Sequence, residues 1–137
     1  MIIMSVDLGL VRTGLAISDS SETFAFPKGV ITESDEQKLI EIICNSAKEF
    51  GANRIVVGLP KNMDGTCGER AETSKRIAES IKNNSGIETV LFDERLTTVS
   101  AHTYLSMNNI KGKRRKQTVD AVAATIILED YLNSIKK

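Results

Sequence analysis

Apolar residues fall in short runs over the first part of the chain, and this pattern predicts strands. Residues 2–8 and 14–19 form two such runs, joined by a glycine-containing turn, and residues 24–31 form a third. Pro27 in the third run indicates an edge strand or a bulge, because proline cannot donate a ladder hydrogen bond. The three runs together predict an antiparallel opening to a sheet.

The period changes near Ser34, where apolar residues begin to recur at helical spacing. The recurring set is Leu39, Ile42, Ile43, Ala47 and Phe50. Gly51 follows this set as a stop signal. The next run, RIVVGL at 54–59, is continuously apolar and closed by Pro60, which is typical of a parallel strand buried on both faces. The remaining pattern predicts a helix over 68–83, a strand over 88–92, a helix over 97–107, a polar basic loop over 111–117 and a helix starting at Thr118 as N-cap.

This order predicts a single α/β domain over residues 1–137. Three antiparallel strands followed by two parallel strand–helix units give a mixed five-stranded sheet flanked by helices, since right-handed crossovers constrain the parallel part. The ribonuclease-H-like fold is the main candidate for this arrangement. Other three-layer folds fit the same pattern of periodicity.

Composition limits the chemistry and the partners. The chain has 137 residues, with 18 basic and 18 acidic side chains, so any attraction to nucleic acid must come from local clusters of charge. The first residues lack the basic region and long apolar core of a signal peptide, and no apolar run reaches membrane-spanning length, so we expect a cytoplasmic protein without a membrane partner. Cys44 and Cys67 have no CxxC or histidine partner and indicate neither zinc nor redox chemistry.

Two carboxylates stand at the ends of predicted strands. Asp7 lies inside an otherwise buried strand, where a charge is costly unless it is paired, protonated or bound to a metal. Glu94 directly follows the 88–92 strand, at the carboxyl end where open α/β sheets bind ligands. The alternatives are a structural hydrogen-bond acceptor for Asp7 and a solvated surface pair with Arg95 for Glu94.

A third carboxylate belongs to the last predicted helix. Asp120 shares a helical stripe with Ala124, Ile127 and Tyr131, so it is expected to lean toward the sheet near Asp7. In the first turn of that helix it could instead be an acid favoured by the macrodipole. Three oxygen ligands without histidine or cysteine suit Mg²⁺ or Mn²⁺, and a two-ion site of this kind hydrolyses phosphodiesters.

Four stretches of the sequence, in this order and spacing, carry a family resemblance: VDLGLVRTGLAISD, GLPKNMDGT, DERLTT and KRRKQTVDAVAATIIL. Together they resemble the YqgF family of Holliday junction resolvases, also described as pre-16S ribosomal RNA nucleases. The resemblance implies a ribonuclease-H-like fold, a divalent-metal phosphodiesterase, a bacterial cytoplasmic setting and maturation of the 5′ end of 16S ribosomal RNA. Asp7, Glu94 and Asp120 match the family's acidic triad, and its other polar motif positions are matched by Arg12, Arg95, Thr97 and Thr98.

Basic residues near these acids predict contacts with phosphates. The predicted loop before Asp120 contributes Lys113, Arg114 and Arg115, and Lys61 follows a strand where backbone amides can receive a phosphate. The plainer interpretation of the basic residues is an ordinary solvated loop. For Arg12, it is that this residue only neutralises the charge of Asp7. Aromatic residues make up only 4% of the chain, which favours recognition of the nucleic-acid backbone over base stacking.

Other functions also fit parts of the sequence. The substrate could be branched DNA or pre-16S ribosomal RNA, alone or in ribosomal particles, and the protein could be a monomer or a homodimer. DLGLVRTG also resembles the phosphate-binding hairpin of actin-like ATPases, although the chain is too short for their second lobe. A nucleic-acid-binding or ribosome-assembly module without catalysis is the remaining alternative.

Overall fold

The fold is a five-stranded mixed sheet with helices on both faces. The structure, a computed structural model, describes residues 1–9, 11–60, 68–93 and 112–135, and for residues 112–121 only the course of the helix. The described elements, in chain order, are β1 (Ile3–Asp7), β2 (Arg12–Ser18), β3 (Ala25–Thr32), α1 (Glu36–Glu49), β4 (Arg54–Leu59), α2 (Glu69–Ser85), β5 (Glu88–Asp93) and α3 (Gly112–Ile135).

The sheet has the strand order β3-β2-β1-β4-β5. β1, β2 and β3 pair antiparallel, whereas β4 pairs parallel with both β1 and β5. This topology confirms the predicted sequence of three antiparallel strands followed by two parallel units. The prediction for Pro27 is also confirmed: β3 is an edge strand, and its register with β2 shifts between Leu15 and Ala16, opposite Gly29 and Pro27.

Two hydrophobic clusters hold the helices against opposite faces of the sheet. Met4, Val6, Ile55 and Val57 pack with the buried faces of α1 and α2. Ile3, Ala16 and Val56 pack on the other face with α3, through Ala124, Ile127, Leu128 and Leu132. The continuous apolar pattern of β4 therefore arises because this strand is buried from both sides. No helix in the described part of the chain is long and apolar enough to cross a membrane.

The start of the last helix differs from the prediction. α3 begins at Gly112, so the expected basic loop over 111–117 is wrong for residues 112–117, and Thr118 is not its N-cap. Lysine, arginine and glutamine are strong helix formers, and neither proline nor glycine interrupts the chain from residue 113 to Ile135. Helix propensity therefore outweighs the polarity that suggested a loop. The helix predicted over 97–107 falls outside the described residues.

Candidate active site at the carboxyl edge of the sheet

Asp7 lies at the edge of the sheet where the parallel strands end. It is the last residue of β1, and its side chain is half-buried. Because β1, β4 and β5 run parallel, the carboxyl ends of all three meet at this edge. Leu59 pairs there with Asp93, the last residue of β5. Ligands of open α/β sheets bind at such an edge.

The face to which Asp7 belongs follows from its neighbours along β1. The buried Ser5 hydroxyl donates a 2.6 Å hydrogen bond to the Ala124 carbonyl of α3. Side chains alternate along a strand, so Asp7, two residues after Ser5, is on the α3 face, whereas Val6 packs toward α1 and α2. The carboxylate is thus directed to the side of the sheet covered by the last helix.

Glycines flank Asp7 on both neighbouring strands. Gly14 of β2 is its direct partner. Val6 pairs with Val57 of β4, which places Gly58 next to Asp7 on the other side. Neither neighbour contributes a side chain to the flanks of the carboxylate. Glycine within a strand often marks a close approach of a ligand or of another backbone.

α3 runs antiparallel to β1 and β4, and its direction determines where Asp120 lies. The Arg54 guanidinium, at the amino end of β4, donates a 2.9 Å hydrogen bond from Nη1 to the Tyr131 hydroxyl. Ala124, seven residues earlier in α3, lies over Ser5 in the middle of β1. The amino-terminal half of α3 therefore points toward the carboxyl edge.

Asp120 consequently reaches the same height as Asp7. It precedes Ala124 by four residues, an axial rise of about 6 Å in a helix. Asp7 follows Ser5 by two residues, an advance of about 6.6 Å in a strand. The two backbones thus arrive together at the edge of the sheet. Three members of the predicted stripe are confirmed on the sheet side of α3: Ala124 and Ile127 are buried, and Tyr131 packs against the same cluster.

The alternative role for Asp120 as a helix N-terminal acid is wrong. α3 begins eight residues earlier, at Gly112, so Asp120 lies more than two turns inside the helix. The helix macrodipole acts within the first turn. Stabilisation of the helix terminus therefore does not explain an acid at this position.

Arg12 shares the face and the edge with Asp7. Gly14 is the partner of Asp7, and Arg12 precedes it by two residues, which makes Arg12 the diagonal neighbour on the same face. Such neighbours are about 7–8 Å apart, within reach of a long side chain. The predicted proximity of Arg12 and Asp7 is therefore present in the sheet.

The other predicted site residues divide into two groups. Lys113, Arg114 and Arg115 lie in the first turn of α3, where the backbone alone is described. Outside the described residues are Lys61, Glu94, Arg95, Thr97 and Thr98. Among the described residues no group of three histidine, cysteine, aspartate or glutamate side chains could hold a metal ion. The predicted triad thus stays a prediction as a set.

The turn from β1 to β2 is tightly built around Gly9. A Cβ atom at this position would lie 2.2 Å from the Arg12 carbonyl oxygen, a backbone atom that cannot rotate away. The sequence pattern predicts a turn here but no role for Gly9, and it does not predict Gly58 as a neighbour of Asp7. The signal for Gly58 was a glycine near the end of the otherwise apolar run RIVVGL.

We expect Gly9→Ala to displace this turn and lower the free energy of unfolding by about 1–3 kcal/mol, the usual cost of overpacking. Urea unfolding measures the loss, and amide NMR signals of residues 7–14 report the displacement. Gly86→Ala is the matched control, because its Cβ would meet nothing within 4 Å and its strain comes only from a φ of 71°. The control should leave the signals of the turn in place; unchanged signals in Gly9→Ala would contradict the steric argument.

Several known proteins are similar to this chain. A protein of Bacillus cytotoxicus named "Putative pre-16S rRNA nuclease" is 39% identical over 136 residues, which cover 98% of this chain and 99% of the relative. The structure of RuvC from Thermus thermophilus in complex with a Holliday junction substrate has a TM-score of 0.62 at 11% identity, covering 99% of this chain and 98% of RuvC. The Fowlpox virus resolvase in complex with Holliday junction DNA has a TM-score of 0.64 at 15% identity and full coverage of both chains.

These similarities establish the fold and the family. The two structural neighbours share so little sequence that they show the fold alone, and they confirm the predicted ribonuclease-H-like class. The family model described as RuvX, Holliday junction resolvase, matches residues 1–134. The YqgF resemblance predicted from the sequence motifs is thereby confirmed. The chain belongs to the RuvX (YqgF) family.

Proposed function

We propose that this protein is a divalent-metal-dependent nuclease that hydrolyses phosphodiester bonds and processes the 5′ end of pre-16S ribosomal RNA. The observation that carries the proposal is the position of Asp7 at the carboxyl edge, flanked by Gly14 and Gly58 and level with Asp120 of α3. The name of the B. cytotoxicus relative supports the choice of RNA substrate.

Three carboxylates would hold the metal ions: Asp7, Glu94 and Asp120. Glu94 directly follows β5, and Val90 and Phe92 of this strand pack on the α3 face. Because side chains alternate along a strand, this period predicts the same face for Glu94. An all-oxygen ligand set suits Mg²⁺ or Mn²⁺. When bound, two such ions supply an activated water and stabilise the leaving oxygen.

Basic side chains would hold the RNA backbone beside these acids. Lys113, Arg114 and Arg115 precede Asp120 by five to seven residues, which places them about 8–10 Å farther along the helix axis. Since the amino-terminal end of α3 lies at the carboxyl edge, this first turn extends past the level of Asp7. Phosphates flanking the cut would contact it there, and Arg12, Lys61, Arg95, Thr97 and Thr98 complete the proposed substrate contacts.

Branched DNA is the second candidate substrate. The description of the matching family, Holliday junction resolvase, favours it. A single cut in RNA requires only a monomer, whereas symmetric cutting of a junction favours a homodimer. We propose that the protein acts in the cytoplasm, on ribosomal RNA free or within ribosomal particles.

The test compares two end-labelled substrates, a 16S ribosomal RNA precursor and a four-way DNA junction, each with Mn²⁺ or with chelator. We expect Mn²⁺-dependent cleavage of the RNA at its mature 5′ end. Cleavage of the junction alone would favour the resolvase. Binding of both without cleavage under any metal condition would overturn the proposal in favour of a non-catalytic binding module.

A further inference from the structure

A concave feature adjoins the carboxyl edge on the face of the sheet opposite α3. It is a cavity of about 270 Å³ between the β1–β2 turn and the start of α2. Leu8 and Gly9 line it from the turn, and Arg70, Thr73, Ser74 and Ile77 line it from the helix. Nothing in the family resemblance assigns a role to these α2 residues.

The cavity begins one residue from the proposed catalytic carboxylate. Leu8 follows Asp7 directly and lies in the cluster that packs against α1 and α2, whereas Asp7 is on the α3 face. Successive Cα atoms are about 3.8 Å apart. A nucleic-acid strand that places one phosphate at Asp7 and crosses the edge of the sheet would therefore pass this cavity.

The lining combines an apolar wall with an available cation. Leu8 and Ile77 supply the wall. Arg70 is exposed, and in the described part of the chain its hydrogen bonding is limited to the Leu8 carbonyl, at a long 3.4 Å from Nη2. A guanidinium has five N–H donors in a planar fork that suits phosphate, and among the described residues only the Leu8 carbonyl accepts from this one.

Glu69 limits the charge that the cavity can accept. This acid also lines the opening, next to Arg70. A nucleoside triphosphate would bring several negative charges against this carboxylate, whereas a phosphodiester brings one. The volume is also below the range of about 300–1,000 Å³ typical of sites for drug-sized ligands, which fits one nucleotide unit better than a larger ligand.

We propose that this cavity is a nucleotide subsite for the RNA substrate. The phosphate adjoining the scissile one binds the Arg70 guanidinium, and its sugar packs against Leu8 and Ile77. The cavity thus positions the strand across the edge of the sheet, with the scissile phosphate over Asp7. This inference rests on the proposed nuclease function, because the strand is placed by a cut at Asp7.

The first test measures binding of a short fluorescein-labelled RNA that spans the mature 5′ end of 16S ribosomal RNA, with chelator present to prevent cleavage. We expect Arg70→Gln to weaken binding about tenfold, which is the effect of losing one charged hydrogen bond. The slope of log affinity against log salt concentration should become shallower by about one. Arg76→Gln is the matched control: it removes the same charge from α2 at an exposed ion pair with Glu36. Arg76→Gln should change neither the affinity for the RNA nor its dependence on salt.

The second test locates the phosphate that Arg70 contacts. Single phosphates on either side of the cut are replaced by neutral methylphosphonates. A methylphosphonate at one position next to the cut should weaken binding to the wild type. The same replacement should cause no further loss of affinity in Arg70→Gln, because the methylphosphonate and the substitution remove the same contact. Equal losses in both proteins at every position, or equal affinity of Arg70→Gln and Arg76→Gln, would overturn the subsite. Failure of the wild type to cut RNA would instead overturn the proposed function.

Discussion

We expect the Asp7→Asn variant to lose Mn²⁺-dependent RNA cleavage by about 10³-fold or more while folding like the wild type. Losses of this size follow removal of a group that acts directly at the reacting atoms. Asparagine keeps the shape of the side chain but removes the charge that would bind a metal ion. If neighbouring acids repel Asp7 in the metal-free site, the free energy of unfolding should be unchanged or higher.

Asp130→Asn provides the matched control for this experiment. Asp130 is another half-buried acid, in the last third of α3 and far from the carboxyl edge. Burial raises the pKa of its carboxyl group. The control should cleave RNA at the wild-type rate. Cleavage retained in Asp7→Asn would remove Asp7 from the site, and failure of that variant to fold would make Asp7 a structural residue.

Asp120→Asn should reduce cleavage as strongly as Asp7→Asn, and the double variant should be no slower than either single variant. Residues that act as one unit give such non-additive losses, because removing either one already disables the unit. Asp120 lies within α3 beyond the reach of the macrodipole, so the stability of the helix should change little. Single-turnover cleavage rates of the three variants test this expectation.

Thermal melting gives an independent readout for the same variants. A bound ion stabilises the folded state, so Mn²⁺ should raise the melting temperature of the wild type and of Asp130→Asn. Neither Asp7→Asn nor Asp120→Asn should show this shift. An Asp120→Asn protein that still responds to Mn²⁺ and still cuts RNA would exclude Asp120 from the metal site. Rates that fall further in the double variant would indicate two separate roles.

The limits of the sequence-based prediction are clearest at α3. The stripe of Ala124, Ile127 and Tyr131 was predicted because helical spacing is a local property, and the structure confirms it. The start of the helix was wrong because a run of basic residues is polar in either a loop or a helix. In this case the intrinsic helix propensity of lysine and arginine outweighs that polarity.

The sequence by itself determined the five strands, the first two helices, the edge position of Pro27 and the three acids as candidates, because these depend on short-range periodicity and residue chemistry. Only the tertiary structure decided that Gly14 and Gly58 flank Asp7 and that α3 brings Asp120 level with it. It also created the cavity beside Leu8, which is formed by residues more than 60 positions apart in the chain. Strand register and helix direction depend on pairing and burial between segments that are distant in the chain, so the local pattern of any one segment does not specify either of them.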